Sequence, residues 1–486
     1  MHGATWSIIG AIVSRGLSLL SSVLVARVLG RDRFGEIGII LGTVLLFQAF
    51  ASFGLTVTST KHVAELRATD PARAGRVIAL SSAIAAAVGA LFTVGVWAMA
   101  PALAVRLLAA PHLAPYIRAA APQLLLGALN AAQVGSLSGL EAYRAIARVN
   151  VVSGAIGFPL VVAGAWGWGV PGAVWGNTAA LAVSWAAHGY ALRSAARTAR
   201  VSVGLTGWRS DLGMLLHFSL PGVIASVLVT SATWVATAVL VNQPGGYGEM
   251  GLYSAATRVK QIPEILLGLV LSPLLPVLSD TFARRDLPGF TRVLRAAYAA
   301  SAAVVVPSAV LLAAAPDTIL APFGAQFLGN PAVVQWLGLQ LLVWGLFYPP
   351  LTVLASTGRM WAALAYHAGW TSIFGVAVGS LVPRFGAAGL AAALVIAYAI
   401  ANPVLVLLIR TRRPELVSGV PLARFAAAGV ASILTAFGVA RFHSPATTFA
   451  TVVALSLANL ALVLRSVPEI RAYAADPKRG RFLTGR

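Results

Sequence analysis

Four ionisable side chains lie inside apolar stretches that are long enough to cross a bilayer. Arg15 is near the middle of the first such stretch, and Arg258, Lys260 and Glu264 lie in a later one, 252–278. A charged group at membrane depth costs roughly several kcal/mol unless it faces protein or water, so such residues are typical of a transport pathway. We therefore expect this protein to move a charged molecule.

The later stretch has a polar face if it is a helix. At 100° per residue, an arc of about 120° holds Tyr253, Ser254, Thr257, Lys260, Gln261, Glu264 and Gly268. Lys260 and Glu264 are one turn apart and can pair. Arg258 lies roughly 160° from Lys260 unless Pro263 kinks the helix. We expect Lys260 and Glu264 to face a cavity, whereas Arg258 either joins them or caps a neighbouring helix.

Three other stretches carry small or hydroxyl side chains at helical spacing. The first holds Ser7, Ser14, Ser18 and Ser22 beside Arg15, the seventh holds Ser219, Gly222, Ser226, Thr230, Thr233 and Thr237, and the fourth holds Gln123, Gly127 and Asn130. Such residues either line a wet cavity or let membrane helices pack closely. Arg15 favours a cavity for the first stretch. The predicted cavity-lining residues are Ser14, Ser18, Ser22, Ser219, Ser226, Thr230, Thr233, Thr257, Gln261, Gln123 and Asn130.

Composition places these side chains in membrane-spanning helices. Hydrophobic residues make up 58% of the 486 and charged residues 10%, far from the charge content of a soluble domain. Windows of about 20 apolar residues predict fourteen spans. They lie near 5–29, 36–59, 77–100, 114–137, 146–166, 169–191, 213–241, 252–278, 296–315, 331–355, 360–382, 386–409, 422–440 and 445–466. The expected fold class is all-α, a polytopic membrane protein.

The net charge of +21 is explained by basic residues that set the orientation of the protein in the membrane. Connections after the even-numbered spans, together with the C-terminal tail, hold about 25 of the 35 Lys and Arg residues. The positive-inside rule then puts both termini in the cytoplasm, with the first span acting as its own insertion signal. This distribution argues against nucleic-acid binding.

Two short motifs recur in matching order. Phe34-Gly35-Glu36 before span two returns as Tyr247-Gly248-Glu249 before span eight, and Gly169-Val170-Pro171-Gly172 returns as Gly386-Ala387-Ala388-Gly389. Six spans separate the copies, which predicts parallel repeats related by a pseudo-two-fold axis along the membrane normal. The expected organisation is an N-lobe (1–200), a C-lobe (201–415), and a segment with two further spans and a basic cytoplasmic tail (416–486).

Signals for catalysis are missing. No Gly precedes any of the three lysines, which excludes a Walker A loop, and no two acidic residues are spaced as D-x-D, E-x-D or D-x-E. No predicted outer loop exceeds about 17 residues. Cysteine is absent, which excludes disulfides and thiolate metal sites. We expect neither an enzyme nor a bound cofactor or metal, and a membrane glycosyltransferase or polymerase is disfavoured.

Three segments carry a family resemblance: Val25-Ala26-Arg27-Val28-Leu29-Gly30 continuing through Arg33-Phe34-Gly35-Glu36, Gly251-Leu252-Tyr253-Ser254-Ala255-Ala256-Thr257-Arg258, and Phe323-Gly324-Ala325-Gln326-Phe327. With the span count, they resemble the bacterial polysaccharide transporter family, the Wzx-type flippases of the multidrug/oligosaccharidyl-lipid/polysaccharide exporter superfamily. Where many relatives have a Gly-Pro turn, this chain has Gly30-Arg31-Asp32-Arg33.

The resemblance implies a function. Such a protein turns an undecaprenyl-diphosphate-linked oligosaccharide from the cytoplasmic to the outer leaflet of the bacterial inner membrane by alternating access, beside membrane lipids and polymerase machinery and as a monomer. Arg15, Arg258 and Lys260 fit a cationic diphosphate site, and Glu264 a switch or a site for H⁺ or Na⁺ coupling. A lipid II flippase or a cation-coupled multidrug exporter of the same superfamily stays open, although an exporter of organic cations should carry acidic groups in its cavity.

Overall fold

The computed structural model describes the backbone of residues 2–51, 54–206, 209–417, 427, 429–435, 438 and 445–466; within these, the side chains of 2–13, 209–223, 417, 445–449, 460 and 462–466 are not described. The described part contains no strand. Its α-helices are α1 (His2–Leu29), α2 (Arg31–Ala51), α3 (Leu55–Leu66), α4 (Pro71–Ala102), α5 (Ala114–Ala120), α6 (Pro122–Gly139), α7 (Tyr143–Thr198), α8 (Arg209–Val241) and α9 (Gly246–Leu271). They continue as α10 (Leu274–Ala283), α11 (Leu287–Ala314), α12 (Pro316–Leu320), α13 (Ala332–Leu346), α14 (Tyr348–Ser356), α15 (Met360–Arg412), α16 (Pro414–Val417) and α17 (Pro445–Ser466).

The predicted fold class is confirmed. In the described part, eight helical segments are long and apolar enough to cross a membrane. The predicted basic tail after residue 466 and most of the thirteenth span lie outside the described residues. The protein is an all-α, polytopic membrane protein.

Helices α7 and α15 each consist of two helical arms joined by a sharp turn. In α7 the chain reverses at Gly169, whose φ of 67° and ψ of −139° are open to glycine but strained for other residues. The two arms then pack side by side, and a Cβ added at Gly176 would lie 2.5 Å from the carbonyl oxygen of Leu160. In α15 the same reversal occurs at Gly386, with φ of 54° and ψ of −130°. Each arm exceeds the roughly 20 residues needed to span a bilayer.

The local geometry supports an internal duplication. Gly386 follows Gly169 by 217 residues, and at that same offset the turns that precede the hairpins match. In the first turn the N–H of Ala142 donates to the carbonyl of Leu137, and in the second the N–H of Arg359 donates to that of Leu354, both at 2.9 Å. The duplication predicted from the motifs therefore extends to backbone conformation.

In each copy, one helix begins with an aspartate that caps its N-terminus. Asp70 caps α4 by accepting a hydrogen bond from the N–H of Arg73, and Asp286 caps α11 in the same way from Gly289, both at 2.9 Å. An aspartate at this position satisfies a backbone donor that has no partner within the helix. These two caps are 216 residues apart, so they mark equivalent connections in the two copies.

By internal contacts the chain forms two compact units, Met1–Ala255 and Ala256–Arg486. In the first, α1 packs along α7, and α6 packs against α3, α4 and α7. In the second, α11 packs against α13 and α17, and α13 packs against α15. Helix α9 begins in the first unit and ends in the second. The lobe boundaries expected from the sequence stay a prediction.

Candidate functional site

A buried polar cluster of the second unit is centred on Lys260 of α9. Its ammonium donates to Oε1 of Gln340 at 2.7 Å and pairs with Oε1 of Glu264 at 2.9 Å. Lys260 is only 7% exposed. A buried ammonium of this kind is retained because both neighbours supply acceptor oxygens.

Helix geometry and glycine packing bring the three side chains together. Lys260 and Glu264 meet because residues four apart share a helix face. Gln340 lies on α13, where Gly338 and Gly345 flank it. An added Cβ at Gly338 would lie 2.9 Å from Cβ of Leu312 on α11, and one at Gly345 would overlap Val305 of the same helix. The small residues therefore let α13 pack closely against α11, which fixes where Gln340 lies.

The rest of the polar face of α9 differs in exposure. The Thr257 hydroxyl is buried and has no hydrogen-bond partner in the part of the chain that the structure describes. Gln261 and Arg258 are partly exposed. The candidate roles of these residues in a cavity stay predictions.

In the first unit, the polar face of α1 is divided between packing and exposure. Gly154 of α7 contacts Ser14, since an added Cβ there would lie 3.2 Å from the Ser14 Cα. Ser22 is partly exposed, and its hydroxyl donates to the Ser18 carbonyl at 3.0 Å. Arg15 and Ser18 are exposed.

Helix α8 carries the equivalent hydroxyl face. Ser226 is exposed, and Thr230 and Thr233 are partly exposed. The Thr233 hydroxyl donates to the carbonyls of Val229 and Thr230 at 3.1 and 2.9 Å. The side chain of Ser219 lies outside the described residues. Part of the hydroxyl face therefore hydrogen-bonds to backbone carbonyls of its own helix.

The fourth predicted span places its amides against α7. Gln123 is 1% exposed; it donates to the Thr178 hydroxyl at 3.0 Å and accepts from Asn177 at 3.0 Å. Asn130 donates to the Leu181 carbonyl at 3.3 Å and accepts from Ser184 at 3.3 Å. Both therefore form interhelical hydrogen bonds with α7, and their predicted role in lining a cavity stays a prediction.

Sequence reasoning did not single out Gln340. A glutamine inside an apolar span was a usable signal, but α13 has two, Gln335 and Gln340, and only the fold shows which contacts Lys260. Gln335 donates to the Ala313 carbonyl at 3.3 Å instead. In the described residues, no group of three or more His, Asp or Glu side chains could hold a metal ion.

Several transporters of known structure have a similar fold. An inward-closed structure of the lipid II flippase MurJ aligns with a TM-score of 0.71 at 12% identity, over 95% of this chain and 99% of that one. An inward-facing multidrug resistance MATE family transporter of the MOP superfamily aligns at 0.66 and 16% identity, over 84% and 98%. A MOP superfamily transporter from Pyrococcus furiosus, whose binding pocket is described as having reverse polarity, aligns at 0.66 and 18%, over 85% and 95%.

No curated protein matches the chain. A protein-family model does match, however, and it covers residues 1–282 under the description "Polysaccharide biosynthesis protein". That match covers more than half of the 486 residues. The chain therefore belongs to the polysaccharide biosynthesis protein family.

Proposed function

We propose that the protein is a flippase that moves an undecaprenyl-diphosphate-linked oligosaccharide from the cytoplasmic to the outer leaflet. The observation that carries this proposal is the ammonium of Lys260, buried in a membrane-spanning helix and balanced by a single carboxylate. Family membership supports a saccharide cargo. A buried cation at membrane depth supports an anionic one.

The charge of the cargo suits the basic residues. A diphosphate carries about two negative charges, which Arg and Lys neutralise through charge-assisted hydrogen bonds. Lys260 and the exposed Arg15 are the proposed ligands, with Arg258 as a third, and the hydroxyl faces of α1 and α8 would hydrogen-bond the sugar. Transport needs no covalent step, so we propose that the protein acts without catalysis.

Two energy sources are compatible with this cargo. Moving an anion outward is downhill by about 2.3 kcal/mol per charge per 100 mV of membrane potential. Glu264 could instead bind H⁺ or Na⁺, because its side chain is 24% exposed while its partner Lys260 is buried. Either way, Glu264 is the proposed coupling residue.

A lipid II flippase is the second candidate. The fold similarity to MurJ extends over 95% of the chain, and lipid II also carries a diphosphate. A cation-coupled drug exporter is less favoured, since three of the four intramembrane charges are basic. For either flippase we propose a monomer in the bacterial inner membrane with both termini in the cytoplasm, working beside polysaccharide polymerase machinery.

The proposal is tested by identifying the lipid that accumulates when the protein is absent and that binds to the purified protein. Deletion of the gene should leave a glycan-bearing undecaprenyl diphosphate on the cytoplasmic leaflet, which lipid extraction and leaflet-selective labelling would detect. Purified protein in nanodiscs should bind undecaprenyl diphosphate. A sugar-transfer assay on the same preparation provides the contrast, because sugar transfer by the purified protein would make it an enzyme rather than a flippase.

A further inference from the structure

We infer that Gln340 sets the charge selectivity of the Lys260 site, holding the ammonium without neutralising it so that the site accepts an anion. The inference rests on the proposed function, because it concerns the same site. Three observations support it: the two acceptors of the Lys260 ammonium, their unequal exposure, and their unequal charge.

One N–H donor of the Lys260 ammonium is used by neither Gln340 nor Glu264. Lysine carries three N–H donors. One is used by the Gln340 amide oxygen at 2.7 Å and one by the Glu264 carboxylate at 2.9 Å. No third hydrogen bond of this ammonium is present among the described residues. A phosphate oxygen can therefore add to the site before either existing partner leaves.

The two acceptors differ in how accessible they are. Gln340 is 3% exposed, whereas the Glu264 side chain is 24% exposed. Glu264 therefore lies on the more accessible side of Lys260, and Gln340 on the more buried side. An incoming anion can displace the Glu264 carboxylate, whereas the buried Gln340 stays in place.

The acceptors also differ in charge. With a neutral amide at position 340, the pair of Lys260 and Glu264 has no net charge, and displacement of Glu264 leaves a full positive charge for the phosphate. A carboxylate at position 340 would give the three groups a net negative charge, which repels an anion and attracts a cation. The buried acceptor therefore determines which sign of charge the site takes.

The test uses purified full-length protein in nanodiscs, with undecaprenyl diphosphate as the anionic probe and tetraphenylphosphonium as the cationic probe. Gln340→Glu should bind the diphosphate at least tenfold more weakly and gain measurable binding of the cation. Gln340→Met, of similar size but uncharged, should weaken diphosphate binding without that gain. Gln335→Glu is the matched control on the same helix; because Gln335 contacts the Ala313 carbonyl rather than Lys260, this variant should stay within about twofold of the parent for both probes.

A position swap separates the buried charge from the total charge. Glu264→Gln combined with Gln340→Glu keeps one lysine, one carboxylate and one amide, but it buries the carboxylate. On our inference, the swap stays at least tenfold weaker for the diphosphate, because the substrate cannot displace the buried carboxylate. Parental affinity of the swap or of Gln340→Glu, or an equal loss in Gln335→Glu, would overturn the inference. Failure of the parent protein to bind the diphosphate would overturn the proposed function instead.

Discussion

Arg31 and Glu249 join the two segments of the first unit that carry the copies of the repeated motif. Nη2 of Arg31 lies 2.6 Å from Oε1 of Glu249, and Nε of Arg31 donates to the Gly248 carbonyl at 2.8 Å. Arg31 begins α2, and Glu249 lies in the first turn of α9. Arg31 lies three residues before the first motif copy, whereas Gly248 and Glu249 belong to the second, so the pair joins the two segments that carry the copies.

We expect a measurable coupling between these two side chains. Arg31 is 25% and Glu249 23% exposed, so solvent screens the pair and a coupling free energy of about 1 kcal/mol is expected. Arg31→Gln should destabilise more than Glu249→Gln, because it also loses the bond to the Gly248 carbonyl. A double-mutant cycle of thermal unfolding in detergent measures the coupling, and strictly additive single effects would show that the pair contributes nothing.

Close packing at this contact depends on glycine. A Cβ at Gly35 would overlap the backbone carbonyl of Tyr247, whereas a Cβ at Gly42 on the same helix meets nothing within 4 Å. Gly35→Ala should therefore destabilise by about 1–3 kcal/mol. Gly42→Ala should be neutral or stabilising by up to about 1 kcal/mol, since alanine favours a helix. Thermal unfolding compares the two, and equal effects would contradict the packing geometry.

Much of the local structure could be predicted from residue spacing. The four-residue spacing of Lys260 and Glu264 was enough to expect a pair, and they lie 2.9 Å apart. The recurring Gly169 and Gly386 motifs marked span boundaries, and both positions are chain reversals. Each of these features depends on neighbours in sequence or on a conformation that only glycine adopts readily.

Residue spacing could not predict which side chains on different helices contact one another. Gln340 is 80 residues from Lys260, and helical periodicity does not show which side chain of α13 will face α9. Likewise, the alignment of Gln123 with Asn130 showed a polar face but not what it contacts, which is Thr178 and Asn177 of α7 for Gln123. A polar stripe predicts that a partner exists, whether water, substrate or helix, and packing decides which one.

The charge distribution predicts the membrane topology. Arg197 and Arg285 are exposed and lie in connections expected on the cytoplasmic side. The chain has no native cysteine, so Arg197→Cys and Arg285→Cys provide unique labels. An impermeant thiol reagent should label both in inverted vesicles and neither in intact cells. Labelling of either cysteine in intact cells would contradict the predicted orientation.

Arg15 should act in transport rather than in folding. Its side chain is exposed, so Arg15→Ala should leave the amount of protein in the membrane nearly unchanged while abolishing glycan export. Arg15→Lys should retain part of the export, because the charge survives while the planar, bidentate geometry of the guanidinium is lost. Export assays normalised to membrane abundance check this, and full export by Arg15→Ala would remove Arg15 from the diphosphate site.

Lys260 and Glu264 should behave as a switch that exchanges its own ion pair for a pair with substrate. On this hypothesis Glu264→Gln binds undecaprenyl diphosphate at least as tightly as the parent, because a competing anion is gone. It should turn over more slowly, since no carboxylate competes for Lys260 when the substrate is released. Lys260→Gln should lose binding, because the ammonium that pairs with the phosphate is removed.

A static ion pair makes a different prediction for the same variants. If the pair only neutralises two charges in the membrane, each single change leaves a charge without its partner and lowers the amount of folded protein. The double change to Gln would then restore both abundance and export. On the switch hypothesis, the double variant is present at normal abundance but does not export. Measuring binding, membrane abundance and export for both single variants and the double variant separates the two, and a fully active double variant would exclude the switch.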